Sequence, residues 1–321
     1  MSTSGLRAAS ARARTIALGA ALLVVLSPAP PLRAFEAEVL DSVVSVLPQW
    51  ANPEGHAERP EGTAVAILPG GYLATNLHVV ARALSITIRR RDGRLRRAEI
   101  IGRDPLTDLA LLKIDDDLPV LPLGPEPALG SKVCIVGNQF GLDLSVTCGV
   151  VSGLRRSGVG FNEVEDFIQT DATANPGSSG GALVDAENRL VGLVSAIFTK
   201  QSDANIGVNF AASTALVMRV VRELAAQGRV ERAKLGVRIE SLGTEERTTL
   251  VGARVVGVEP GSAAEAAGLA AGDVITAIAD RAVAKTSDVV AAVYLHRVGE
   301  RLAVAIRRGE ASLELTVELG R

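Results

Sequence analysis

Three residues of this chain have the side chains that nucleophilic catalysis requires, in the order His78, Asp108, Ser179. Ser179 lies at the tip of residues 167–183, FIQTDATANPGSSGGAL, which read as a strand, a tight loop and a second strand. Phe167, Ile168 and Gln169 extend, Asn175-Pro176-Gly177 cannot continue a helix, and Gly181-Ala182-Leu183-Val184 resumes apolar character. With Gly177 before the serine and Gly180-Gly181 after it, a carbonyl group could approach both the hydroxyl and the backbone N–H groups beside it, as an oxyanion hole demands. A solvated serine in an ordinary glycine-rich turn fits the string equally well, so the partners elsewhere decide.

His78 follows a strand-like run in ATNLHVV; taken alone, a histidine in an apolar stretch is a core residue satisfied by one backbone bond. Asp108 opens the apolar strand LALL. A carboxylate beside Leu109 and Leu111 is costly to bury unless a donor holds it, and a histidine N–H is such a donor. Asp104 is the competing acid, but it precedes a proline and reads as a turn residue. The serine hydroxyl is a poor nucleophile until a base takes its proton. An imidazole titrating near neutrality is that base, and an acid fixes its tautomer and stabilises the imidazolium. The order histidine, aspartate, serine is that of the chymotrypsin-like template, in which two residues come from one β-barrel and the serine from the next.

The elements needed to position such a trio are present. Residues 63–68, 71–75, 85–89, 95–102 and 109–114 read as short strands punctuated by Pro69-Gly70-Gly71 and Asp92-Gly93, a spacing that suits a small closed barrel better than alternating strands and helices. Apolar residues make up 47% of the 321 and charged residues 22%, as in a folded globular protein of two or more domains. Lys+Arg 34 against Asp+Glu 36 leaves no basic field to attract nucleic acid. After Phe210 the period changes. Leu216, Val217, Val220, Val221 and Leu224 share one face at helical spacing, with Ser213 as N-cap and Gly228 as stop.

Residues 1–34 read as an export segment: Arg7, Arg12 and Arg14, then an apolar run over 16–26, then a helix-breaking exit to Ala34. The run is short for a membrane span, which favours a removed signal peptide; Leu32 near the exit keeps an uncleaved anchor open. Cys134 and Cys148 are compatible with one disulfide in an exported chain, but two buried thiols acting as small hydrophobes is the preferred reading. His56 lies in a Pro/Gly-rich surface loop over 52–62, and residues 229–234 form a charged linker.

The strings TNLHVV, DPLTDLALLKI, VGNQFGLDLSVTCGVVSGLRRSG and FIQTDATANPGSSGGALVDAENRLVGLVSAIF together resemble the motifs of the HtrA (Deg) family of serine endopeptidases, from about Gly62 to the C-terminus. The resemblance implies a mainly β chain: residues 1–34 a signal peptide or anchor, 35–228 a trypsin-like double β-barrel, and 229–321 a linker and PDZ domain. It implies His78 as general base, Asp108 as its orienting acid and Ser179 as nucleophile, with Gly177 and Ser179 N–H groups as the oxyanion hole. By the same resemblance the loop 136–142 helps order the site, and Val194, Ser195, Ala196 and Ile197 line the substrate pocket, whose aliphatic character argues for small or medium side chains before the cut. The PDZ domain would capture a terminal carboxylate at Leu235, Gly236 and Val237 and add a peptide to the following strand. No cofactor, metal or nucleic acid is implied. The implied partners are misfolded or signal-bearing proteins and C-terminal peptides, the assembly a homotrimer, and the location the periplasm, with or without an inner-membrane anchor. Two rivals remain: a holdase chaperone that binds without cutting, and a PDZ adaptor on a vestigial protease fold. The chain departs from the family pattern at Ser178, where asparagine is usual, at Gln139, where proline is usual, and at Val194-Ser195-Ala196, where Asn-Thr-Ala is usual.

Overall fold

The computed structural model describes residues 37–50, 61–197 and 206–321. The export segment 1–34 and His56 lie outside these residues. Two closed barrels form the first part. Barrel one holds β1 (Val43–Gln49), β2 (Gly62–Leu68), β3 (Tyr72–Asn76), β4 (Ser85–Arg89), β5 (Leu95–Asp104) and β6 (Leu109–Ile114), in the spatial order β1-β2-β3-β6-β5-β4. Barrel two holds β7 (Lys132–Gly137), β8 (Ser145–Arg156), β9 (Phe167–Thr170), β10 (Ala182–Asp185), β11 (Leu190–Ile197) and β12 (Asn209–Ser213), in the order β10-β11-β12-β9-β8-β7. The expected double barrel is therefore present. The amphipathic stretch 37–47, which fits a short helix or a strand, divides: residues 37–42 make a 3-10 turn and the rest enters β1.

Several strands lack the polar alternation of a one-sided sheet because both faces are covered. On β2, Ala64 and Ala66 point into barrel one, while Val65 and Ile67 join a second cluster outside it; on β6, Ala110 and Leu112 point in while Leu109 and Leu111 point out. The outer cluster also takes Val136, Leu193 and the apolar face of α2 (Thr214–Gln227), so one helix seals the seam between the barrels. Each fully buried Val or Leu there contributes about 1.5–3 kcal/mol. The helix begins and stops as its sequence requires. Ser213 Oγ accepts the Leu216 N–H at 3.2 Å, and Gly228, at φ +72°, donates its N–H to Leu224.

Cys134 and Cys148 are joined, contrary to the preferred reading of two thiols. They face each other directly on antiparallel β7 and β8, which brings their Cα atoms to 4.0 Å.

The C-terminal part is a separate sheet with its own core around Val255, Ile275, Val304 and Val317. Its strands are β13 (Val237–Ser241), β14 (Ala253–Val258), β15 (Val274–Ile278), β16 (Arg281–Ala282), β17 (Arg301–Arg308) and β18 (Ala311–Glu318), in the order β13-β14-β15-β17-β18, with β16 on β15. The helices are α3 (Ala263–Ala266) and α4 (Thr286–Tyr294), numbered after α1 (Leu77–Val80) of barrel one and α2.

This sheet docks on the barrels through polar groups of low exposure. Arg281 grips Asp166 with two bonds of 2.6 and 3.0 Å, and Ser157 Oγ donates to Asp288 at 2.5 Å. The Tyr294 hydroxyl donates to Asp104, and Arg219 reaches the carbonyls of Glu231 and His296. Asp104 is thus no solvated turn residue. It ends β5 fully buried, held also by Thr107 Oγ1 at 2.7 Å. Burial, reinforced by the Asp104 carboxylate, pushes the Tyr294 hydroxyl pKa far up. His296 is partly buried and bonds Glu300 at 2.8 Å.

Candidate active site

Barrel one supplies an acid and a base fastened to each other. Asp108 follows a turn in the left-handed region, at φ +56°, where aspartate is among the few side chains tolerated. That conformation turns its carbonyl onto the Leu77 N–H at 2.8 Å and the Asn76 amide at 3.2 Å. Its carboxylate accepts the His78 N–H at 2.8 Å and lies 2.5 Å from His78 Nδ1. A carboxylate can only accept, so Nδ1 carries the ring proton and Nε2 is left as a base. The His78 side chain is half exposed, whereas that of Asp108 is 18% exposed, so the acid is shielded and the base accessible.

Barrel two supplies the serine. Residues 174–181 run between β9 and β10 as a tight loop, with Ser178 Oγ bonded to the Asn175 carbonyl at 2.6 Å. Serine in place of the usual asparagine therefore closes the turn with its own side chain. Gly177 sits at φ +95°, and a Cβ there would lie 2.2 Å from the Asn138 carbonyl, so neither the torsion nor the space admits another residue. Its carbonyl accepts from Thr63 Oγ1 at 2.7 Å, and the preceding Pro176 carbonyl accepts from the Phe140 N–H at 2.7 Å. Gly177 and Ser179 N–H donate to no other group among the described residues. Two adjacent unclaimed donors are what an oxyanion would need.

His78, Gly177 and Ser179 line one cleft of about 320 Å³, together with Trp50, Glu61, Gly62 and Val79. No bond joins Ser179 Oγ to His78 among the described residues; in unliganded sites such bonds are commonly long and tighten on substrate.

The expected pocket residues divide. Val194 is buried in the interior of barrel two, so its side chain lines no pocket; it contributes backbone, exchanging hydrogen bonds with Gly180 and Gly181. Ser195 is also buried and accepts from the Asn76 amide at 3.2 Å, beneath Asp108. Ala196 and Ile197 close β11 opposite Phe210 and Asn209, and their side chains lie outside the described part. Gln139, a departure from the family pattern, is buried and ties its loop to Asn175 at 2.7 Å. The sequence reading missed Thr63 and Asn138, whose partners are distant in the chain, and Asn76, whose place beside His78 was the available clue.

A second cleft, of about 330 Å³, lies in the C-terminal part. Leu235, Gly236 and Val237 line it with Val289, Val290 and Val293 of α4, and so do Leu106 and Val164 of the barrels. The strand β13 beside it is the free edge of its sheet.

Comparison with known proteins agrees with these parts. Residues 62–193 match the trypsin-like peptidase domain family and residues 233–319 the PDZ domain family. The chain is 36% identical over 262 residues to the periplasmic serine endoprotease DegP of Salmonella typhimurium, covering 78% of this chain and 54% of DegP. It is 34% identical to the putative serine protease HhoB of Synechocystis, covering 84% of this chain and 68% of HhoB. The chain thus spans about half the length of the DegP relative. A solved HtrA-type protease, AlgW with a tripeptide, superimposes with a TM-score of 0.70 at 36% identity, over 88% of this chain and 96% of AlgW. With catalytic-type groups converging between two barrels, a PDZ domain behind them and a whole-length structural match, the chain belongs to the HtrA family of trypsin-like serine proteases.

Proposed function

We propose that this chain is a serine endopeptidase in which His78, Asp108 and Ser179 act as base, orienting acid and nucleophile. The observation that carries the reading is that one cleft is lined by His78, whose ring Asp108 holds from outside the cleft, by Ser179 and by Gly177, with the Gly177 and Ser179 N–H groups unclaimed among the described residues. Ser179 Oγ attacks the scissile carbonyl as His78 Nε2 takes its proton, and the oxyanion is held by the Gly177 and Ser179 N–H groups. His78 returns the proton to the leaving amine, then activates the water that hydrolyses the acyl-enzyme. Asp108 holds the ring and stabilises its charged form throughout.

Within this reading, residues 35–228 form the catalytic domain, 229–321 a linker and PDZ domain, and 1–34 an export segment, removed or kept as an inner-membrane anchor. Substrates are misfolded or signal-bearing proteins of the cell envelope; the name of the DegP relative supports a periplasmic site of action. The PDZ cleft binds protein C-termini by adding a strand to β13, with the terminal carboxylate at the N–H groups of Leu235 and Gly236, which donate to nothing else among the described residues. Trimeric assembly is proposed from the family alone.

The test is turnover of unfolded casein, with and without C-terminal peptide, by the native protein and Ser179→Ala, alongside fluorophosphonate labelling. Cleavage and labelling that vanish together in Ser179→Ala are expected. A native protein that binds casein yet neither cleaves nor labels would be a holdase or adaptor.

A further inference from the structure

The loop between β7 and β8 has an unusual burden. Its Phe140 N–H holds the Pro176 carbonyl at 2.7 Å. In a trans peptide C=O and N–H point in opposite directions, so this bond also aims the Gly177 N–H away from the loop. Buried Gln139 ties the loop to barrel two through Asn175, but the residues around it are poorly equipped to hold their place. Phe140 and Asp143 are non-glycine residues at φ +56° and +72°, a region that L side chains disfavour. Phe140 and Leu142 are 58% and 80% exposed, so apolar burial anchors neither. Asn138 Oδ1 is buried without a partner.

What fastens the loop to barrel one is a charged chain. Arg89, the last residue of β4, places Nη2 2.8 Å from Glu61 Oε2 and 2.8 Å from Asp143 Oδ1, with Nη1 3.3 Å from Glu61 Oε1. Glu61 Oε2 also accepts the Asn138 amide at 2.6 Å. One guanidinium therefore clamps both ends of the loop, Asn138 through Glu61 and Asp143 directly. Arg89 and Glu61 side chains are 24% and 31% exposed, a setting less screened than open surface. From Asn138 the connection continues to the serine loop, since its N–H donates to Thr63 Oγ1 at 2.9 Å and Thr63 Oγ1 donates to the Gly177 carbonyl.

We infer that Arg89 is a positioning residue for the oxyanion donors: its double ion pair holds residues 138–143 in the arrangement that points the Gly177 N–H into the cleft. This rests on the protease reading. Arg89 does not line the cleft and touches no reacting atom, so its loss lowers the fraction of molecules with a formed hole and reaches the cleft surface only through its partner Glu61.

The experiment compares Arg89→Met, Arg89→Lys and Asp143→Asn with the native protein for kcat and KM on a chromogenic peptide and for the rate of fluorophosphonate labelling. Arg89→Met is expected to lower kcat and labelling about tenfold, as a formed fraction of about a tenth would, with KM within about twofold. Arg89→Lys recovers part of the loss, because an ammonium keeps the charge without the fork that meets two carboxylates. Asp143 is 80% exposed, so Asp143→Asn leaves folding intact and carries the test if Arg89→Met does not fold; a smaller fall in kcat is expected. An active, labelled native protein whose kcat survives Arg89→Met, or survives Asp143→Asn where that variant carries the test, would overturn the clamp and leave the protease reading standing. Equal losses in Arg89→Met and Arg89→Lys would also overturn it, since charge would then be irrelevant. A native protein that takes no label would overturn both.

Discussion

Two aspartates on one turn of chain, Asp104 and Asp108, serve opposite ends of this molecule. Asp104 is buried, accepts from the Thr107 and Tyr294 hydroxyls, lies 3.5 Å from the Arg232 guanidinium, and joins the PDZ domain to the barrels. Asp108 is partly open and bonded to the imidazole of His78. Residue type and sequence neighbourhood are almost shared; what separates the two is the group opposite, two hydroxyls and the Arg232 guanidinium for Asp104, the imidazole of a cleft-lining histidine for Asp108. On the proposed reading the first acid fastens domains together and the second orients a base.

The widest gap between the two should appear in turnover. Asp108→Asn is expected to lower kcat about 10⁴-fold by favouring the wrong tautomer of His78, with an unfolding midpoint close to native. Asp104→Asn is expected to do the reverse, keeping kcat within a few-fold while weakening the fold. Peptide turnover and thermal melts on both variants check this, and comparable kcat losses would break the distinction. Next in size is the disulfide on the β7–β8 hairpin, whose loop holds the Pro176 carbonyl. Replacing Cys134 and Cys148, 14 residues apart, with serine should cost about 3 kcal/mol in denaturant unfolding on the chain-entropy account. Smaller again, Tyr294→Phe leaves Asp104 short of a donor and should cost about 2 kcal/mol, seen in the same unfolding curves, with kcat nearly unchanged.

The finest test uses pH. Because the folded state raises the Tyr294 pKa through burial and Asp104, the unfolded chain releases this proton first on going alkaline. The stabilising contribution is therefore complete below about pH 10, the ordinary tyrosine value, and declines as pH rises above it. Unfolding free energy should fall less steeply above that pH in Tyr294→Phe than in the native protein.

The His78–Asp108 contact and the placing of His78 and Ser179 on one cleft were legible because their signals are local: glycines flank Ser179, and Asp108 opens a strand too apolar to hold a lone acid. Barrel one was legible from short strands between turn residues, barrel two only through the family resemblance, and α2 from its apolar spacing and caps. Asp104 was misread because its decisive partner lies 190 residues away, on a helix of another domain. The cysteine pairing escaped because strand register, which places Cys134 opposite Cys148, is not written in either strand alone. Val194 was assigned to the pocket because a motif locates a strand but not the face on which each side chain emerges; its neighbours Ile135, Ile168 and Leu183 claim it for the barrel interior.

The four hydrogen bonds that Asp108 makes to residues 76–78 have a further consequence. Base and acid cannot drift apart without tearing a strand end from its neighbour, so they behave as a single solid piece. On the protease reading, any means of silencing the site must then act across the cleft, on the serine hydroxyl and the Gly177 and Ser179 amides. If adding C-terminal peptide changes turnover, the ring signals of His78 should stay the same while those of Gly177 shift.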